Sequence, residues 1–185
     1  MESVDVLTAD GRQTGRMVLR SLAHHEGLWH RTVHVWIQNR KAKLLLQQRS
    51  LTKETFPGFW DISAAGHISG GDSSRETAVR EMREELGVTL EKSALRSLFT
   101  IQSSYVSPDH TIKDNEISDV YLCTAPVEKA DITPDPKEVS GVAYYSVSNL
   151  RRLFMTNKEL FVPHYEEYRR LFQVLTNANF LKSGK

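Results

Sequence analysis

Residues Gly66 to Val88 read GHISGGDSSRETAVREMREELGV, and the second half of that stretch decides the fold. A helix turns by about 100° per residue, so one running through it fans Glu84, Glu81 and Glu85 over about 100° of its surface, with Arg80 beside them. Val79, Met82 and Leu86 fall on the opposite side. An apolar stripe of that kind seeks a core. The three like charges repel by roughly 0.2–0.5 kcal/mol per pair unless a cation offsets them. A hard divalent ion suits such a set of carboxylate oxygens. The helix has a legible start, with Ser73 as cap, Glu76 as its reciprocal partner and Asp72 adding charge at the positive end of the dipole. Gly87 ends it. Taken alone, REMREEL also reads as a solvated helix face.

Outward from this stretch, composition narrows the field. A chain of 185 residues suits one domain with a sizeable core, and we assign residues 1–185 to it. Lysine and arginine number 24 against 23 acidic residues, a formal charge of +1. That balance gives no electrostatic footprint for long nucleic acids or anionic membranes. Cys123, the one cysteine, lies in the apolar run VYLCTA and reads as a buried, inert thiol. The amino terminus lacks the basic and apolar regions of a signal peptide, and no run of about 18 apolar residues occurs. The expectation is a soluble, cytoplasmic protein.

Along the chain, Val4 to Leu7 and Gly15 to Leu19 flank Asp10-Gly11 and predict an amino-terminal hairpin, an extension within residues 1–30, with a short helix through Leu22 to His25. Thr32 to Gln38 alternates, with Val33, Val35 and Ile37 on one face, and is expected to pair antiparallel with Lys43 to Gln48 across Asn39 to Lys41. A loop from Ser50 to Asp61 then feeds a strand from Ile62 to Ala65. Beyond the helix come strands at Ala94 to Tyr105, Ile117 to Ala125 and Val142 to Tyr145, with the charged loop SPDHTIKDNE between the first two and an irregular proline-bearing stretch from Pro126 to Lys137. A helix is predicted at Val147 to Met155. Tyr165, Tyr168, Leu171, Phe172 and Leu175 fall at helical spacing, and residues 176–185 are expected to be a frayed tail. The pattern is α/β, with helices packed on a mixed sheet.

Gly66, Arg80, Glu81, Met82, Glu84, Glu85, Gly87 and Val88 together resemble the Nudix box, which spans residues 66–88 here. Asp72 departs from it, standing a methylene shorter than the family's first box glutamate, whose side chain braces the loop and the arginine. The resemblance implies an αβα sandwich over nearly the whole chain and hydrolysis of a diphosphate linkage in a small molecule. It implies Mg²⁺, or Mn²⁺, on Glu81, Glu84, Glu85 and the backbone carbonyl of Ala65 or Gly66, with Arg80 orienting Glu81. Glu116, on a later loop, or Glu81 would serve as the base. Homodimers are common in that family, and one is compatible with this chain.

A second resemblance cuts across the first. HRTVHVWIQ, LLLQQRSLTKETFPGFWDISAAGH and DNE look like isopentenyl-diphosphate isomerase, a Nudix-fold enzyme. The positions matching its metal ligands are His24 or His25, His30, His67, Asp114 and Glu116, a set suited to Mn²⁺ or Zn²⁺. Arg49 and Lys53 match its diphosphate-binding cations. The isomerase, however, moves a proton with a cysteine where this chain has Ala65, and it has lost most of the helix glutamates retained here. His34, His110 and His164 match nothing and are expected to be structural, while Trp29, Trp36, Trp60, Phe59 and Tyr105 either fill the core or stack on a substrate. The reading favoured by these residues is a Nudix hydrolase of the isomerase-like branch, acting on a nucleoside di- or triphosphate before an isoprenoid. An isomerase and a non-catalytic nucleotide-binding domain are the alternatives.

Overall fold

Val33, Val35 and Ile37 alternate with His34 and Trp36, yet all five are buried, because strand β3 (Trp29–Ile37) is covered on both faces. In the computed structural model, which describes residues 2–177, β3 is the axis of a mixed six-stranded sheet. It runs parallel to β8 (Lys113–Cys123) and antiparallel to β6 (Ala64–His67). The sheet order is β2-β1-β3-β8-β7, with β6 pairing β3; β1 is Ser3–Leu7, β2 is Gln13–Leu19 and β7 is Leu95–Val106. A second, antiparallel sheet holds β5 (Trp60–Asp61), β4 (Leu44–Arg49) and β9 (Val139–Tyr145).

The layers follow from which side chains each helix buries. Helix α2 (Ser74–Leu86) places Ala78, Met82 and Leu86 against Val33, Val35 and Ile37. Helix α4 (Tyr165–Thr176) places Tyr168, Leu171, Phe172 and Leu175 against Trp36, Leu46 and Val120 on the other side, and Leu150 of α3 (Val147–Thr156) joins that core. The result is the expected αβα sandwich with its amino-terminal hairpin, β1 and β2, followed by the short α1 (Arg20–Glu26). Tyr165 departs from its expected inward face and is half exposed. The tail expected at 176–185 lies, from residue 178 onward, outside the described residues. No helix among the described residues is long and apolar enough to cross a membrane.

Three local readings are corrected. The segments expected to pair as Thr32–Gln38 with Lys43–Gln48 share only the bridge Gln38 to Leu44, after which β3 and β4 enter different sheets. The strand expected at 62–65 is split into β5 and β6, because the chain changes sheets at Ile62-Ser63. Ser63 holds that crossing: its hydroxyl donates to the Leu45 carbonyl at 2.7 Å and accepts from the Ile37 amide at 2.9 Å. Strand β8 starts at Lys113 rather than Ile117, so the charged KDNE segment is strand and not loop. Its polar side chains hid that from a pattern search, since Asp114 and Glu116 face the cleft described next while Asn115 bonds the Gly27 carbonyl.

Candidate functional site

Helix α2 behaves as the sequence predicts at both ends, and this fixes where its glutamates point. The Ser73 hydroxyl caps the Glu76 amide, and Gly87 closes the helix at φ 69°, donating its amide to the Arg83 carbonyl. Asp72 is exposed, and its side chain makes no hydrogen bond among the described residues. Arg80 is held without it, by Glu81 Oε1 at 2.9 Å, Glu84 Oε2 at 3.1 Å and the His67 carbonyl at 3.2 Å.

The inward face of α2 meets β6 along one wall of a cleft of about 1260 Å³. Glu85 is buried, and its Oε2 accepts from the Ala65 amide at 3.2 Å and from Gln47 Nε2 at 3.1 Å. Glu81 lies over Gly66 so closely that a Cβ there would stand 2.1 Å from its carboxyl carbon. Burial pushes the Glu81 carboxyl up to about 7 and the Glu85 carboxyl up to about 8, the latter helped by the charge of Glu81. Glu84 is exposed at the rim. Two buried, charge-poor carboxylates and one at the mouth line the cleft, with Ala65 and Gly66 beside them. Such a set fits a divalent cation, whose charge would offset the cost of ionising Glu81 and Glu85 together.

A second cluster borders the same cleft. The rings of His24, His30 and His67 stand at the corners of a triangle with centroids 5.1 Å apart. Asp114 Oδ1 lies 3.5 Å from His24 Nε2 and 3.6 Å from His30 Nε2, and Glu116 Oε1 lies 3.6 Å from His67 Nε2. Parallel pairing puts His30 level with Glu116, which is how β3 and β8 bring them together. His30 is fully buried and turns Nδ1 to the Leu28 carbonyl at 2.8 Å. Its Nε2, like Asp114 Oδ1, is buried without a hydrogen-bond partner. Burial lowers the pKa of His24 and drives that of His67 well down, and their Nε2 atoms stand 3.2 Å apart. Orphaned donors of this chemistry fit a transition-metal ion. His25 points away and is exposed, so His24 is the member of that pair in the cluster.

Other expected residues have different surroundings. Arg49 is spent on the protein, donating to Asp61 Oδ2 at 3.0 Å and to the Thr55 carbonyl at 2.9 and 3.0 Å, and Lys53 pairs with Glu138. Both line the cleft. Burial and the neighbouring Asp114 raise the Glu116 carboxyl to about 8, and it sits on β8 rather than on a loop. Trp36 is core, whereas Tyr105 packs on Phe56 at 4.7 Å and both border the cleft. Phe56, with φ 50°, escaped the sequence reading, because nothing in a loop's composition foretells a left-handed aromatic. His34, His164 and Asp61 also line the cleft.

The profile of the NUDIX domain matches residues 28–169. The chain is 41% identical over 179 residues to Nudix hydrolase 3 of Arabidopsis thaliana, covering 94% of this chain but only 23% of that protein, so it spans about a quarter of that relative's length. It is 29% identical over 147 residues to an isopentenyl-diphosphate Delta-isomerase of Cereibacter sphaeroides, covering 79% of this chain and 80% of the isomerase. In fold it is similar to the crystal structure of DR0079 from Deinococcus radiodurans, with a TM-score of 0.69 at 22% identity, over 91% of this chain and 98% of that one.

Proposed function

The chain belongs to the NUDIX domain family, and on that premise we propose that it is a Mg²⁺-dependent hydrolase that cleaves the diphosphate linkage of a small organic diphosphate. The observation that carries this reading is the pair of buried carboxylates, Glu81 and Glu85, laid against Ala65 and Gly66 on one wall of the cleft. Glu81, Glu84, Glu85 and the carbonyl of Ala65 or Gly66 would hold the ions. When bound, divalent ions neutralise phosphoryl charge and make a water more acidic. Arg80 keeps Glu81 and Glu84 in place, as its contacts to both suggest. Glu116 takes the proton of the attacking water, with Glu81 its rival, and both are poised near neutrality by burial. Water's oxygen joins phosphorus, the P–O bond of the linkage breaks, and phosphate or pyrophosphate leaves.

The organic part of the substrate is read from the lining. Ser103, Ser104, Thr32 and Asp61 border the cleft beside Phe56 and Tyr105, a mixture that suits a nucleoside better than a hydrocarbon tail. Assay of nucleoside and isoprenoid diphosphates with Mg²⁺ or Mn²⁺ tests this. We expect metal-dependent release of phosphate or pyrophosphate from a nucleoside substrate, and no release from the panel would refute it.

A second reading rests on the cluster of His24, His30, His67, Asp114 and Glu116, which would hold Mn²⁺ or Zn²⁺ in an enzyme that isomerises isopentenyl diphosphate. Against it stands Ala65, which cannot move a proton. Dimethylallyl product on incubation with metal and isopentenyl diphosphate would favour it, and its absence removes it. A non-catalytic nucleotide-binding role is removed by any metal-dependent turnover.

A further inference from the structure

On the cleft floor, apart from both clusters, stands another set of buried imidazoles and carboxylates. His34 of β3 and His164, the cap of α4, lie with ring centroids 4.9 Å apart. His34 Nδ1 is 2.6 Å from Glu167 Oε2, and His164 Nε2 is 3.1 Å from Asp61 Oδ1. Each carboxylate is gripped from behind through its other oxygen: Trp36 Nε1 donates to Glu167 Oε1 at 2.7 Å, and Arg49 Nη1 to Asp61 Oδ2 at 3.0 Å. One donor atom each from His34, His164 and Glu167 lies within 4.8 Å of the other two.

The hydroxyl of Tyr168, the residue after Glu167, is a further polar group carried by α4. It is fully buried and has no hydrogen-bond partner, and burial together with the charges of Asp61 and Glu167 holds its pKa well above the usual range. Strand β3 and the start of α4 converge here with two nitrogen donors and one carboxylate, a set that suits Zn²⁺ and not the oxygen-loving Mg²⁺.

We propose that His34, His164 and Glu167 form a site for one Zn²⁺-class ion that opens onto the cleft. The outer partners are already present: Asp61 orients His164 and Trp36 orients Glu167, as carboxylates and indoles do behind metal ligands. Binding an ion there requires His34 and Glu167, now joined directly, to separate by on the order of 1 Å while His164 draws in, the ion taking over the proton's place between His34 and Glu167. His34 and His164 border the cleft, which supplies an entry path. Bound there, the ion pins the start of α4 to the central strand.

Titration of the metal-stripped full chain with Zn²⁺ alone, with bound metal counted by emission spectroscopy, tests this. His164→Ala and His164→Gln should each lose one equivalent, or bind it at least tenfold more weakly, while His67→Ala keeps that equivalent and the double variant His67→Ala/His164→Ala loses it. Unchanged stoichiometry and affinity in both His164 variants would overturn the site. Should those variants fail to fold, an anomalous-scattering map of zinc-soaked wild-type crystals decides. A peak between His34 and His164 sustains the site, and no peak there ends it.

Discussion

Glu85 shows how a single side chain can be both costly to the fold and essential to the proposed chemistry. It is buried, and its Oε2 takes hydrogen bonds from a backbone amide and a glutamine. Replacing it by glutamine keeps shape and hydrogen-bonding reach but removes the charge that would grip a cation. We expect Glu85→Gln, and likewise Glu84→Gln, to lower turnover by orders of magnitude while circular dichroism and melting temperature stay near wild type; wild-type rates would strip those residues of their roles. Glu116→Gln should cut kcat by on the order of 10²-fold if Glu116 is the base, whereas an unaltered kcat transfers that role to Glu81. Cys123 behaves otherwise. Burial pushes its thiol up to about 11, so it stays protonated and unreactive. Iodoacetamide at pH 8 should leave native protein unmodified and label it once urea has unfolded it.

Among the elements, α2 and β6 are one device. The Glu81 carboxyl can rest on β6 only because position 66 has no side chain, since a methyl group there would overlap it. Gly66→Ala should therefore push the Glu81 carboxyl aside and depress activity well beyond any loss of stability. Denaturant titration alongside kcat measures both. The helix with its caps, apolar stripe and acidic face was legible in the sequence because all of those signals are local. The split of β5 from β6 was not. It depends on Ser63 bonding two different strands, a tertiary fact with no local mark. The early start of β8 was hidden for a related reason, as Asp114 and Glu116 turn into a cleft and Asn115 to the Gly27 carbonyl, so no apolar alternation marks the strand.

At the scale of the molecule, two cores lie on either side of the strands, one beneath α2 and one beneath α4. Leu171 belongs to the second and is fully buried. Leu171→Ala should cost roughly 2–5 kcal/mol in urea denaturation while leaving kcat per folded molecule unchanged, because the glutamates rest on the other layer. The layers themselves could be read from the sequence, since apolar periodicity reports what is covered. Which strands neighbour one another could not, so the members of the histidine cluster were named by the isomerase resemblance and not by any local pattern.

The parallel register of β3 and β8 carries one more consequence. The hydrogen bond from Thr32 to Ser118 joins residues 86 apart, and the donors of the three-histidine cluster assemble at the same seam. Closing so long a loop is slow compared with forming helices. In a refolding experiment, early compact species would have α2 but no grip on a transition metal. Uptake of a coloured ion such as Co²⁺ would then time the last zipping of the chain, a clock built into its topology.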